Sequence, residues 1–469
     1  MQITTPHTNL FENRQELYQF LNNVSHTLHD KKPQKIVSIS LQIPPMDPLA
    51  VLQSLSPDSR HFYIEKSKEN QAILAIDSVL KFTVKGVNRF AQVQQFINHC
   101  LANTITIGDS NLTLAGLHFF CSFTFFSESD SLFSPATVFI PRWQVSRTQD
   151  YSVIVANILL DFPANIEQIF DNLWYNLSLI YSSINRDLKL HHLNYSHNHK
   201  QWIFNQFDFK NSVQSAIKSI KNNEFSKIVL AQAVDVVANQ PFSLVHSLDN
   251  LRQNYPDCYV FSLSNNQGQN FIGASPEKLI KIHNQQLETD ALAGSAPRGK
   301  NEQEDHYLAN LLLISKKEQH EHQVVIEFIL QRLLRLGIKP DKMPLPSLLK
   351  LSNIQHLWTP IKAIIPPHIH PLEIIAELHP TPAVAGVPRD ITCEQIRQYE
   401  SFDRSVYAAP LGWIDSRGNS EFIVGIRSAI IDGDRAKLFA GAGIVAGSDP
   451  DQELAEIQLK LQALLKNLV

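Results

Sequence analysis

Two pairs of glutamates have a spacing that could do chemistry. Glu318 and Glu321 are three apart in KKEQHEHQVV; Glu453 and Glu456 are three apart in DQELAEIQLK, with Lys460 four further on. Residues at i, i+3 and i+4 share one face of a helix, so each segment, if helical, presents a double carboxylate. Two such faces turned toward each other make a hard, all-oxygen site. That suits Mg²⁺, which takes a few carboxylates plus waters and ligand oxygens. Each pair alone also fits a solvated helix face, and spacing does not decide whether the helices meet.

Single residues add to this set. Lys227 opens the apolar stretch KIVLAQ. A surface lysine is the default, but one packed among apolar neighbours can shed its proton near neutral pH and act as a base. Glu277 follows GASP. A partly desolvated glutamate keeps its proton and can serve as an acid. In EFIVGIRSAII the two-residue strand period puts Gly425, Arg427 and Ala429 on one face. Arginine binds carboxylate oxygens in pairs through its planar fork; a solvent-facing arginine is the competing reading. Gly441 and Gly443 share a face of RAKLFAGAGIV, and glycines inside strands often mark close approach of a ligand or another backbone.

The elements that must position these groups can be read from periodicity. The first two hundred residues mix short β-like runs (IVSISLQI, HFYIEK, QAILAI, CSFTFF, ATVFI) with helical stretches, including 161–184. The His- and Asn-rich stretch Asp187–Lys200 reads as a solvated linker, since it lacks the carboxylates or cysteines of a defined metal site. After it come a helix at 211–222, a strand at 226–237 and further short strands. A long helix fits Glu304–Leu336. EFIVGIRSAII and RAKLFAGAGIV read as a hairpin turned at Asp432-Gly433-Asp434. The closing helix, Pro450–Leu468, has Asp449 as cap, Pro450 in its first turn and Gln452 completing a capping-box pattern. The glycine-rich stretch before it fits an anion site at the helix start or a structural strand-to-helix turn equally well. Strands grouped in runs with helices between groups predict an α+β fold with large mixed or antiparallel sheets flanked by helices.

Composition excludes several classes. The 469 residues carry a net charge of −4, 43% hydrophobic and 18% charged residues, so bulk charge points to neither nucleic acid nor an anionic membrane. Cys100, Cys121, Cys258 and Cys393 lack metal or redox spacing and read as reduced thiols. The opening residues MQITTPHTNLFENRQ show no secretory pattern, and no window reaches the ~18 apolar residues of a spanning helix. A cytoplasmic, monomeric protein without membrane or nucleic-acid partners is the expectation.

Nine ordered segments carry a family resemblance: KIVLAQ, GASPEKL, ALAGSAPRG, KKEQHEHQVV, QHL, LHPTPAVAGVPRD, YAAPLGW, IRSAII and FAGAGIVAGSDPDQELAEIQLK. Over 201–469 the chain resembles the chorismate-utilising enzymes of the anthranilate-synthase-type fold, an αββα sandwich. Residues 1–200 carry no motif and by analogy complete its sheets. Within the family the resemblance is to isochorismate synthases. Lys227 stands where ammonia-using relatives typically carry glutamine. LHPTPAVAG is unlike the block of salicylate synthases, and ALAGS lacks the lysine nucleophile of aminodeoxychorismate synthases. Ser405 and Ala409 replace glycines common in relatives, and AVAG replaces AVGG. The overall likeness leans toward a naphthoquinone route.

The resemblance implies roles. Lys227 is the base that activates water against C2 of chorismate, and Glu277 the acid that protonates the departing C4 hydroxyl. Glu321 and Glu456 bind Mg²⁺, with Glu318 and Glu453 in support. Arg427 and Tyr407 take the enolpyruvyl carboxylate, helped by Lys460 and the Gly441 backbone. Gly294 and Ser295 shape the wall near the leaving hydroxyl, and His356 approaches the ring. The rival readings are a salicylate synthase, which adds pyruvate elimination, an ammonia-using synthase component, and a non-catalytic chorismate binder.

Overall fold

Runs rich in Val, Ile and Phe form strands covered on both faces. His118–Phe123 and Tyr259–Ser264 are buried along their whole lengths, one in each of two large sheets. The computed structural model describes residues 14–28, 34–56, 59–184, 200–203, 209–351 and 354–469. The opening residues 1–13 and the His-rich stretch up to residue 199, expected to be a linker, lie outside these.

Among the described residues the larger sheet has thirteen strands. It runs from Lys200–Ile203 through Lys227–Ala238, Arg435–Ile444, Ser428–Asp432, Gln269–Ser275 and Tyr259–Ser264. It continues with strands from the first two hundred residues, His61–Lys66 to Thr104–Gly108. Only Gln34–Ile43 with Thr104–Gly108 pairs in parallel. The second sheet has nine strands, all antiparallel neighbours. Gln286–Pro297 and Ile354–Ile364 lie toward one end, and His118–Phe123 and Ala136–Ile140 toward the other. Aromatic side chains fill the space between the sheets: the Phe62 and Phe120 rings, one from each sheet, lie 5.2 Å apart. Helix Lys316–Arg335 packs over strand Gln286–Pro297, and helix Pro450–Leu465 over Arg435–Ile444. The fold is α+β with large, mostly antiparallel sheets and flanking helices.

Two expectations change. The helix expected over Glu304–Leu336 is two helices, Glu302–Ile314 and Lys316–Arg335. Ser315 between them is extended, and its side chain caps the second helix by accepting from the Glu318 N–H. A cap of this kind restarts the helix in a new direction, which apolar periodicity does not reveal. The second change concerns EFIVGIRSAII, which is not one strand. Ser420–Val424 belongs to the nine-stranded sheet and Ser428–Asp432 to the larger one. The chain crosses between sheets at 425–427, with Arg427 at φ +52°. Strand alternation does not survive a left-handed residue, so Gly425, Arg427 and Ala429 do not share a strand face. The turn at Asp432-Gly433-Asp434 does link Ser428–Asp432 to Arg435–Ile444.

Candidate active site

A cleft of about 150 Å³ opens where the two sheets and the two glutamate-bearing helices converge. Its wall includes Glu277, Gly294, Ser295, Glu318, Glu321, His356, Tyr407, Arg427, Gly441, Glu453, Glu456 and Lys460. Lys227 lies just behind this wall, where its Nζ donates to Glu321 Oε1 at 2.7 Å. All thirteen residues given a role from the sequence therefore meet at one place, although they come from nine separate stretches of chain.

The helices do face each other. Glu318 and Glu453 both have their proton affinity raised, first by burial and then by neighbouring carboxylates: Glu321 acts on Glu318, and Glu456 on Glu453. The Ser295 N–H donates to Glu318 Oε2 at 3.0 Å and partly offsets this. Burial also works against ionisation of Glu456, but Lys460 and Arg427 bring its carboxyl below the usual range. Lys460 Nζ bonds Glu456 Oε1 at 2.6 Å and the Gly441 carbonyl at 2.8 Å. As placed, no three His, Cys, Asp or Glu side chains among the described residues stand together closely enough to hold a metal ion. The donor set nevertheless fits a hard divalent cation. It is all oxygen, and burial together with neighbouring carboxylates raises the proton affinity of two of its four carboxylates, which a bound cation would relieve.

Lys227 and Glu277 are both nearly inaccessible, at 3% and 5% exposed. Burial pushes the Glu277 carboxyl up to about 7, against the opposing charge of Lys227 and with some reinforcement from Asp290. A Thr381 hydroxyl nearby favours the charged form, though its geometry falls short of a hydrogen bond. Glu277 can therefore hold or release a proton near neutrality, as an acid catalyst requires. Lys227 is buried rather than at the surface that is the default for lysine, and its Nζ is ion-paired with Glu321.

Arg427, Tyr407 and Lys460 also line the cleft, and their donors could together take a carboxylate. The Tyr407 ring stacks on Phe439 with centroids 5.1 Å apart, and burial raises its phenol well above the usual range, so it stays a donor. A Cβ at Gly441 would come within 2.9 Å of the Tyr407 hydroxyl, and one at Gly443 within 3.0 Å of Glu321 Oε1. These two positions admit only glycine without displacing a site group. His356 is pushed down to about 3 by burial and by Arg427 and Lys460, so it is neutral. Its Nδ1 lies 2.9 Å from Ser295 Oγ and its Nε2 3.5 Å from Arg427 Nη2. Since guanidinium only donates, Nε2 accepts and Nδ1 carries the hydrogen, which leaves the Ser295 hydroxyl hydrogen free to point elsewhere.

The sequence reading missed Val229, Leu292, Lys317, Ala383 and Val384, which also line the cleft. Apolar wall residues carry no chemical signal of their own. Lys317 directly precedes Glu318 and could have been suspected as a cation beside it; the two lie 3.8 Å apart.

Comparison with known proteins adds relatives. A family model described as "Chorismate binding enzyme" matches residues 19–469. The chain is 40% identical over 258 residues to the salicylate biosynthesis isochorismate synthase of Pseudomonas aeruginosa, covering 55% of this chain and 53% of that protein. It is 37% identical over 261 residues to the isochorismate synthase MenF of Bacillus subtilis, covering 56% and 55%. The matched stretch thus spans about half the length of these curated relatives. The solved structure of MenF, the menaquinone-specific isochorismate synthase from Escherichia coli, superposes with a TM-score of 0.77 at 26% identity, over 97% of this chain and all of that one. Anthranilate synthase component I from Streptococcus pneumoniae shares the fold, with a TM-score of 0.67 at 20% identity over 84% of this chain and 92% of that one.

Proposed function

Because this chain belongs to the family of chorismate-binding enzymes, we propose that it interconverts chorismate and isochorismate with Mg²⁺ as cofactor. One observation supports this above the rest: a buried lysine and a buried glutamate that titrates near neutrality serve one cleft whose other groups suit a dianion. Several relatives carry the name isochorismate synthase, which supports the same reading.

Arg427, Tyr407 and Lys460 seat the enolpyruvyl carboxylate. Glu321 and Glu456, supported by Glu318 and Glu453, would hold Mg²⁺, which would supply positive charge to offset the ring carboxylate. Lys227, released from Glu321 and in its uncharged amine form, takes a proton from water as the water oxygen bonds to C2. Both ring double bonds shift along the ring, the C4–O bond breaks, and Glu277 delivers its proton to the departing hydroxyl. One water enters and one leaves, so the reaction is an isomerisation and runs backward with the two residues exchanging roles. Each proton-transfer group contributes about 10²–10⁴ in rate. Lysine at 227 favours water over ammonia as nucleophile, because a base is needed to take water's proton.

The test is product analysis of purified protein with chorismate, with and without Mg²⁺. Isochorismate without free pyruvate is the expected product. Pyruvate release without a partner enzyme would indicate a salicylate synthase. An aminated product with ammonium would indicate a synthase component, and tight chorismate binding without turnover a non-catalytic binder.

A further inference from the structure

Arg404 is the bulkiest fully buried side chain among the described residues, and its partner Glu400 is equally inaccessible. The two lie outside the cleft and form a fork: Arg404 Nε donates to Glu400 Oε2 at 2.9 Å and Nη2 to Oε1 at 2.5 Å. Their remaining bonds all go to backbone. Arg404 Nη2 donates to the Val229 carbonyl at 2.8 Å and Nη1 to the Val384 carbonyl at 2.7 Å. Glu400 Oε1 accepts from the Ala231 N–H at 2.7 Å, and the Arg404 carbonyl accepts from the Tyr407 N–H at 2.8 Å. Phe125, from the first two hundred residues, lies over the guanidinium at 4.4 Å.

The pattern of acceptors is informative. Strand Lys227–Ala238 pairs along one edge with Arg435–Ile444. On its other edge it pairs with Gly386–Val387 at Lys227 and Ile228, and with Lys200–Ile203 from Asp235 onward. Between them no strand pairs with this edge among the described residues. The Val229 carbonyl and Ala231 N–H, which an adjacent strand would have satisfied, are bonded by Arg404 and Glu400 instead. The side-chain pair takes the place of a strand, and the same guanidinium also holds Val384. Val229, Val384 and Tyr407 all line the cleft, and Lys227 is two residues from Val229 on the same strand.

A buried ion pair is a weak source of stability, because desolvation consumes most of its Coulomb energy. Its fixed geometry is what it supplies. We propose that the Glu400–Arg404 pair is a positioning device for the reaction: it sets the strand bearing Lys227 against the Val384 and Tyr407 walls, so that the base and the carboxylate seat keep their separation. This rests on the chorismate reading given above, so the unsubstituted protein is assayed alongside.

The experiment uses Arg404→Lys in the full chain. Lysine keeps the charge and the ion pair, but it cannot hold Glu400, Val229 and Val384 in one plane. Folding is checked by circular dichroism and thermal melting, and kcat and KM for chorismate are measured per folded protein. The expected result is a folded protein whose kcat falls about tenfold or more while KM changes much less, since small misplacements of reacting groups cost rate steeply. The alkaline break of the rate–pH profile also moves upward, as Lys227 draws away from Glu277 and opposes its proton less. A kcat per folded protein equal to the parent's, with an unmoved break, overturns the proposal. If Arg404→Lys does not fold, Glu400→Gln is read in the same way, since its amide oxygen still accepts from Ala231. Failure of both to fold also overturns the proposal, in favour of a purely structural pair. A parent protein that binds but does not convert chorismate refutes the functional reading instead, and this proposal with it.

Discussion

Replacing Glu277 by glutamine should make the protein more stable and nearly inactive. In the folded chain, burial raises this carboxyl from an ordinary 4.5 to about 7. The sign follows from linkage: the folded state holds the proton more tightly than the unfolded state. Folding therefore takes up a proton between about pH 4.5 and 7, and stability falls as pH rises through that window. Above pH 7 the whole penalty applies. The interval corresponds to roughly 3 kcal/mol, an order-of-magnitude figure. Glutamine cannot ionise and should recover part of it. Thermal melting of Glu277→Gln and the parent at pH 5 and pH 8 checks this: the curves should nearly coincide at pH 5, with the variant melting higher at pH 8. Turnover should move the other way. Removing a general acid costs about 10²–10⁴ in rate. In the parent, log kcat for chorismate should fall with unit slope above about pH 7 as Glu277 loses its proton, and the variant should lack this break. A variant that keeps parental turnover, or melts lower at both pH values, refutes the assignment of Glu277 as a buried acid.

Other consequences can be tested alongside. Lys227→Ala should lower kcat by about 10² or more, measured by isochorismate formation with the enzyme shown to be folded. Chelation of divalent cations should abolish turnover and added Mg²⁺ restore it, and Glu456→Gln should raise the Mg²⁺ concentration needed for half-maximal rate. Gly443→Ala should lower kcat with little change in melting temperature, because its Cβ would meet Glu321 Oε1 at 3.0 Å and Lys227 Cε at 3.4 Å.

The parts of the site that were legible in the sequence are those set by local spacing. Glu318 with Glu321, and Glu453 with Glu456 and Lys460, share helix faces because a helix repeats every 3.6 residues, and that holds before any tertiary contact forms. The strand face of Gly441 and Gly443 is equally local. What was not legible depends on the rest of the chain. Arg427 reaches the cleft through a left-handed kink between sheets, where alternation gave the wrong neighbours. The break at Ser315 is a cap inside a continuous apolar pattern. Glu400 and Arg404 are four apart, a spacing that carries no local signal of burial; their bonds to the Val229 carbonyl and the Ala231 N–H show what holds them inside. Ser405 takes a glycine-like φ of +51° and bonds Ser131 from a distant segment, at 2.8 Å between hydroxyl oxygens. No local signal marks that partner.

The most direct test of the account is the origin of the new hydroxyl. Chorismate is turned over in ¹⁸O-labelled water with Mg²⁺, and the isochorismate is analysed by mass spectrometry with fragment assignment. If Lys227 activates a water molecule and Glu277 expels the old hydroxyl, the label appears at C2. Product that keeps the substrate's own oxygen would mean the group migrates without solvent, and neither residue would have the role given to it here.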